Sequence, residues 1–219
     1  MDLFSDEGKG AFMITRLAVF TALVLAVVML AADPASAHHV MGGRTPNTFI
    51  EGILSGLAHP IIGLDHLAFL VAVGVAVGIG GLSLLLPGGF VAASAIGVVL
   101  HVNGVNLPAT ELVVAGSVVL AGALIARGAT MSPLAWGLLL GLAGLFHGYA
   151  YGESIFGAET TPLAAYLIGL LAVQAGLATG IAVAVRRYRA RPTTISARLT
   201  GAAIAGLGIG LLTQQVLPG

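Results

Sequence analysis

The 219-residue chain contains no cysteine, which removes disulfides, thiolate metal sites, cysteine nucleophiles and cysteine-held iron–sulfur clusters. Charge is nearly as scarce: 8% of residues are Asp, Glu, Lys or Arg, where a soluble domain averages about 25%. A chain so poor in charge and 58% hydrophobic cannot cover a water-facing surface, so a membrane protein is expected. Nine basic residues balance nine acidic ones, leaving no basic field to hold nucleic acid. Aromatics make up 6% while glycine contributes 32 residues, a composition that favours closely packed helices over an aromatic-girdled barrel. Chemistry is left to six histidines, nine carboxylates and scattered hydroxyls.

Near the N-terminus, Lys9 and Arg16 precede an apolar run from Leu17 to Leu30, and Ala35-Ser36-Ala37 then supplies a small-x-small cleavage signature. We expect residues 1–37 to be a signal peptide and residues 38–219 to form a single transmembrane domain starting at His38. The alternative is an uncleaved first span, although the run is short against the roughly 20 residues a bilayer needs. Six apolar segments of near-bilayer length follow: Ile61 to Gly80, Leu84 to Val102, Glu111 to Ala126, Pro133 to Tyr151, Pro162 to Val185, and Ile195 to Val216. Gly80-Gly81, Asn103-Gly104, Arg127-Gly128 and the stretch Arg186 to Arg191 punctuate them. The fold class expected is all-α, a bundle of six transmembrane helices after a cleaved signal peptide. With the mature N-terminus outside, the inner connections hold Arg127, Arg186, Arg187, Arg189, Arg191 and Arg198 and the outer ones only Arg44, in keeping with the positive-inside rule. The expected location is the bacterial inner membrane, with a periplasmic N-terminus.

On that topology every histidine falls in the outer half. His38 and His39 open the mature chain, His59, Asp65 and His66 lie around the outer end of the first span, and His101 closes the second. Glu111 opens the third span, His147 and Glu153 lie at the outer end of the fourth, and Glu159 follows in the loop. On one continuous helix His59 and His66 would share a face, about 20° apart and two turns from each other. Pro60 leaves two readings open. His59 is a cap before a helix that Pro60 starts, or a short helix from Thr48 runs through Pro60 and releases the carbonyl of Gly56, which is tolerable at membrane depth only against protein or a wet cavity. Asp65 is read as about two turns inside an apolar helix, where an ionised carboxylate costs roughly 2.5–3.5 kcal/mol, so it needs a partner: a cation, or a neighbouring polar side chain acting as interhelical glue. In the fourth span His147 and Tyr151 are one turn apart, and Glu153 reaches the same site only if the helix end unwinds at Gly152. Gly137, Gly141, Gly144, Gly148 and Gly152 form a small-residue stripe that would admit a neighbouring helix beside His147.

The pattern His59-x5-Asp65-His66, together with Phe146-His147-Gly148-x-Ala150-x-Gly152 and Leu107-Pro108-x-x-Glu111, resembles the HupE/UreJ family of hydrogenase and urease accessory proteins, regarded as nickel or cobalt permeases. The resemblance covers nearly all of the mature chain and implies His59, Asp65, His66, Glu111 and His147 as metal-pathway positions. Tyr151 stands where the family's second motif usually has another histidine, and Ser154 stands where it has an acid, with Glu153 one residue early. His38 and His39 would compensate, because an N-terminal histidine can chelate through its amine and its ring.

The function expected is uptake of a divalent transition metal from the periplasmic side: capture by His38, His39 and Glu153, then transfer to His59, Asp65, His66 and His147. Nickel or cobalt is the expected ion, imidazole and carboxylate donors also suiting copper or zinc; no prosthetic group is expected. Glu111 and His101 would support the ligands or line the entrance, His101 being the one that reads as bland. Ligating imidazoles must be neutral, so uptake should fall as the outside is acidified below the ordinary imidazole pKa of about 6.5. No GxxxxGK[ST] loop occurs, so ATP does not drive transport directly. The protein is read as no enzyme, the alternatives being an intramembrane zinc-dependent hydrolase and a metal-binding assembly factor that does not transport. Expected partners are the bilayer and the ion, with a second copy of the chain and metalloenzyme maturation proteins as options.

Overall fold

A computed structural model describes residues 44–217. All regular secondary structure among them is helical, in seven helices: α1 (Phe49–Ile62), α2 (Leu64–Ile79), α3 (Leu85–Val102), α4 (Thr110–Ala126), α5 (Pro133–Glu153), α6 (Thr160–Arg187) and α7 (Ile195–Val216). The signal peptide and His38 and His39 lie outside the described residues.

Local chemistry fixes the helix ends. Thr48 caps α1 by accepting from the Glu51 amide at 3.2 Å, and the Glu51 carboxylate returns to the amides of Asn47 and Thr48 at 2.8 and 3.3 Å, a reciprocal capping box. Ser132 caps α5, with Pro133 in the first helical position, where its missing N–H is not needed. Gly128 closes α4 with φ of 65°, a left-handed turn that glycine adopts without strain.

Helices α3, α5, α6 and α7 are each long and apolar enough to cross a bilayer; α1 and α2 qualify together as one broken span bent by 76°, and α4 is apolar but 17 residues long. The chain is a multi-pass membrane protein. The span expected from Ile61 in fact begins at Phe49, runs helically through Pro60 and breaks at Gly63. Of the two readings of Pro60, the continuous one holds.

α1 and α2 follow α6 in parallel, one after the other. Gly52 and Gly56 lie against the backbone of Pro162 and Tyr166, while Gly74 and Gly78 lie against Ile181 and Val185. At 1.5 Å per residue the 28 residues of α6 run about 42 Å, so its N-terminal half meets α1 and its C-terminal half meets α2 beyond the bend. α2 is enclosed, with Ala68, Phe69, Leu70, Ala72, Val73, Val75, Ala76 and Val77 all buried, because α3, α4, α6 and α7 all pack on it. An all-round apolar sequence suits a helix with no solvent or lipid face.

Two further pairs surround this axis. α3 and α5 run parallel, Gly144, Gly148 and Gly152 lying against Phe90, Ser94 and His101; Gly141 of the expected stripe faces open space. α4 and α7 run antiparallel, with Gly122, Gly201 and Gly208 against Ala205, Ala126 and Val119. Far from the break, Arg198 Nε donates to the Ala126 carbonyl at 3.0 Å, and the Arg186 guanidinium donates to the Leu82 carbonyl. Cations at helix C-termini meet the negative end of the helix dipole.

Candidate metal-binding site

The break at Gly63 is where the polar residues gather. Gly63 donates to the His59 carbonyl at 3.0 Å, and its own carbonyl accepts from Leu67 at 2.8 Å, so the interruption keeps its backbone paired, as membrane depth demands. Asp65 therefore sits in the first turn of α2, not two turns into a helix, and its Oδ1 accepts from the His66 amide at 2.8 Å. A carboxylate there meets the positive end of the helix dipole. His59 is an interior residue of α1 rather than a cap. The two histidines do not share one continuous helical face; the bend brings their ring centroids to 5.7 Å, edge to face.

His147 comes to them from α5. Its Nδ1 lies 2.9 Å from His66 Nδ1, its Nε2 lies 2.9 Å from Ser117 Oγ of α4, and Phe69 stacks on its ring with centroids 4.4 Å apart. Proton positions follow from the chain of contacts. Ser117 Oγ donates to the Val114 carbonyl at 2.7 Å, so it accepts from His147 Nε2–H. In a neutral ring His147 Nδ1 then carries the lone pair and accepts from His66 Nδ1–H. That leaves the lone pair of His66 on Nε2, which stands 3.9 Å from Asp65 Oδ1.

His59 is held in a similar way. Its Nδ1 lies 2.9 Å from the Tyr166 hydroxyl and 3.0 Å from Ser154 Oγ. The Tyr166 hydroxyl donates to the Tyr151 carbonyl at 2.9 Å, so His59 Nδ1–H donates to Tyr166 and the lone pair again falls on Nε2. Orienting a ring through one nitrogen so that the other offers an electron pair is how proteins prepare histidines as ligands. Tyr151 completes the cluster, its ring centroid 4.0 Å from His66 and 5.0 Å from His59. His59, His66 and His147 are each at most 1% exposed, and Asp65 is 8% exposed.

The sequence-derived candidates thus divide. His59, Asp65, His66 and His147 form one compact buried cluster. Glu111 is half-buried in the first turn of α4, the helix that carries Ser117, and Glu153 is exposed at the end of α5, one residue before Ser154. His101 packs on Tyr149 and Phe156, with centroids 4.5 and 5.7 Å away. Among the described residues, no group of three or more His, Asp or Glu side chains is arranged to hold a metal ion as it stands. Sequence reasoning missed Ser117 and Tyr166. Each had a signal: Ser117 is the one hydroxyl of α4 beyond its first turn, and Tyr166 interrupts the small-residue face of Pro162, Ala165 and Gly169.

The family described as HupE / UreJ protein matches residues 25–211 of the chain. Protein HupE of Rhizobium leguminosarum bv. viciae is 33% identical over 184 residues, which cover 83% of this chain and 92% of that protein. No solved structure matches the chain.

Proposed function

The chain belongs to the HupE/UreJ family, and from that premise we propose that it is a permease of the inner membrane that takes up a divalent transition metal, nickel or cobalt in the first place, from the periplasmic side. In this reading the spans number six: the broken α1–α2 pair and α3 to α7. The site end faces the periplasm, and the arginines at the opposite end face the cytoplasm, in accord with the positive-inside rule.

One observation supports the reading above the others: an acidic side chain and three imidazoles converge in a buried cluster at a break in a membrane helix. Broken helices whose half-helix ends point at the cargo are a recurrent design of transporters. The ion enters between Asp65 and the Nε2 lone pairs of His66 and His59, while His147 orients His66 and joins the ligand set if its own bonds rearrange. Glu111, Glu153 and, at the mature N-terminus, His38 and His39 serve the approach. An incomplete resting ligand set suits transport, since conduction requires binding weak enough to release.

Uptake of Ni2+ or Co2+ into proteoliposomes is the test, since an intramembrane hydrolase or a non-transporting assembly factor moves no ion across the bilayer. Asp65→Asn should abolish uptake while the protein still inserts; normal uptake by this variant would remove Asp65 from the pathway. Binding without flux in the unmutated protein would replace the permease with an assembly factor.

A further inference from the structure

Tyr151 is fully buried, and among the described residues its hydroxyl has no hydrogen-bond partner. The same residue's carbonyl is well supplied, accepting from Tyr166 at 2.9 Å and from Ser154 at 3.2 Å. Only the phenol oxygen is left over, on a ring packed against His66 and His59. A buried hydroxyl without a partner carries its full desolvation cost, whereas phenylalanine would fill the same ring position without it. Packing therefore does not account for tyrosine here; a partner that arrives with the cargo does.

The donor set shows what that partner is. With no three His, Asp or Glu side chains among the described residues arranged to hold an ion, a bound divalent cation completes its coordination with water. A water inside a dry pocket needs about two to four polar partners, and the cation supplies only one. We propose that Tyr151 is a specificity-determining residue of this site: its hydroxyl oxygen accepts a hydrogen bond from a water that stays on the bound cation. The site then holds a partly hydrated ion rather than a stripped one. This proposal rests on the permease reading above. Ions of higher coordination number that keep water, such as Ni2+, gain from the contact, and Zn2+, content with four ligands, gains less.

The test is calorimetric titration of the full-length protein in detergent with NiCl2 and with ZnCl2, alongside thermal unfolding of the metal-free protein. Tyr151→Phe should bind Ni2+ about tenfold more weakly, the effect of losing one charge-assisted hydrogen bond, and Zn2+ less than about threefold more weakly. Its metal-free form should melt at the same or a higher temperature, because only an unpaired buried oxygen has gone. Unchanged Ni2+ affinity, or lower thermal stability with an unchanged Ni2+ to Zn2+ ratio, overturns the role of Tyr151 while the permease reading stands. An unmutated protein that binds neither ion overturns both.

Discussion

Gly148→Ala tests the packing that delivers His147 to the site. An added methyl group would lie 2.5 Å from the Cα and the carbonyl carbon of Ser94 and would collide with its carbonyl oxygen. Carbon–carbon contacts settle at about 3.5–4.0 Å, so α3 and α5 must part by about 1 Å, carrying His147 with them. Gly141, two turns earlier on the same helix, has nothing within 4 Å of the same added atom. Alanine gains about 0.8–1.0 kcal/mol of helix propensity at both positions, so the comparison cancels that gain and leaves the cost of overpacking, about 1–3 kcal/mol. At about 2–4 °C per kcal/mol for a chain of this size, Gly148→Ala should melt roughly 2–12 °C below Gly141→Ala. The single tryptophan, Trp136, is buried on α5 and reports unfolding by its fluorescence. In proteoliposomes Gly141→Ala should transport normally, whereas a 1 Å misplacement beside His147 should cost Gly148→Ala up to about 100-fold in rate. If the two variants melt together and transport equally, close approach of α3 and α5 is not what positions His147.

Why part of this site could be read from the sequence and part could not follows from what each residue does. Asp65, His66 and His147 stood out because ionisable groups are costly in apolar helices and survive there only with partners. His59 stood out by its spacing from them, but whether it caps a helix or lies inside one was left open by the sequence. Proline disfavours helix at the residue before it, yet the approach of the Tyr166 backbone to Gly56 encloses the turn that Pro60 disrupts, so α1 continues and the bend falls at Gly63. That glycine has an ordinary φ of −69°; what it offers is space, and space is set by the fold, not by local pattern. Likewise the glycine stripe of α5 was visible, but which of its members meet α3 depends on where the two helices diverge.

The remaining predictions concern the residues that hold the ligands. Ser117→Ala removes the acceptor for His147 Nε2–H and so frees the orientation of both His147 and His66; it should weaken Ni2+ binding about 10–100-fold, with Ser117→Thr restoring it, and normal affinity in Ser117→Ala would dismiss the proton chain running from Val114 to His66. Gly63→Ala separates the site from the fold more sharply. The backbone at Gly63, φ −69° and ψ 107°, is open to alanine, so no strain is expected there. The added methyl group would instead lie 2.7 Å from His66 Cδ2 and 3.2 Å from Asp65 Oδ1, pressing on the two side chains proposed to take the ion. Gly63→Ala should therefore lose metal affinity while its melting temperature changes little. A variant that melts well below the parent yet binds Ni2+ normally would mean that Gly63 serves the bend itself, and that His66 and Asp65 tolerate displacement a metal site would not.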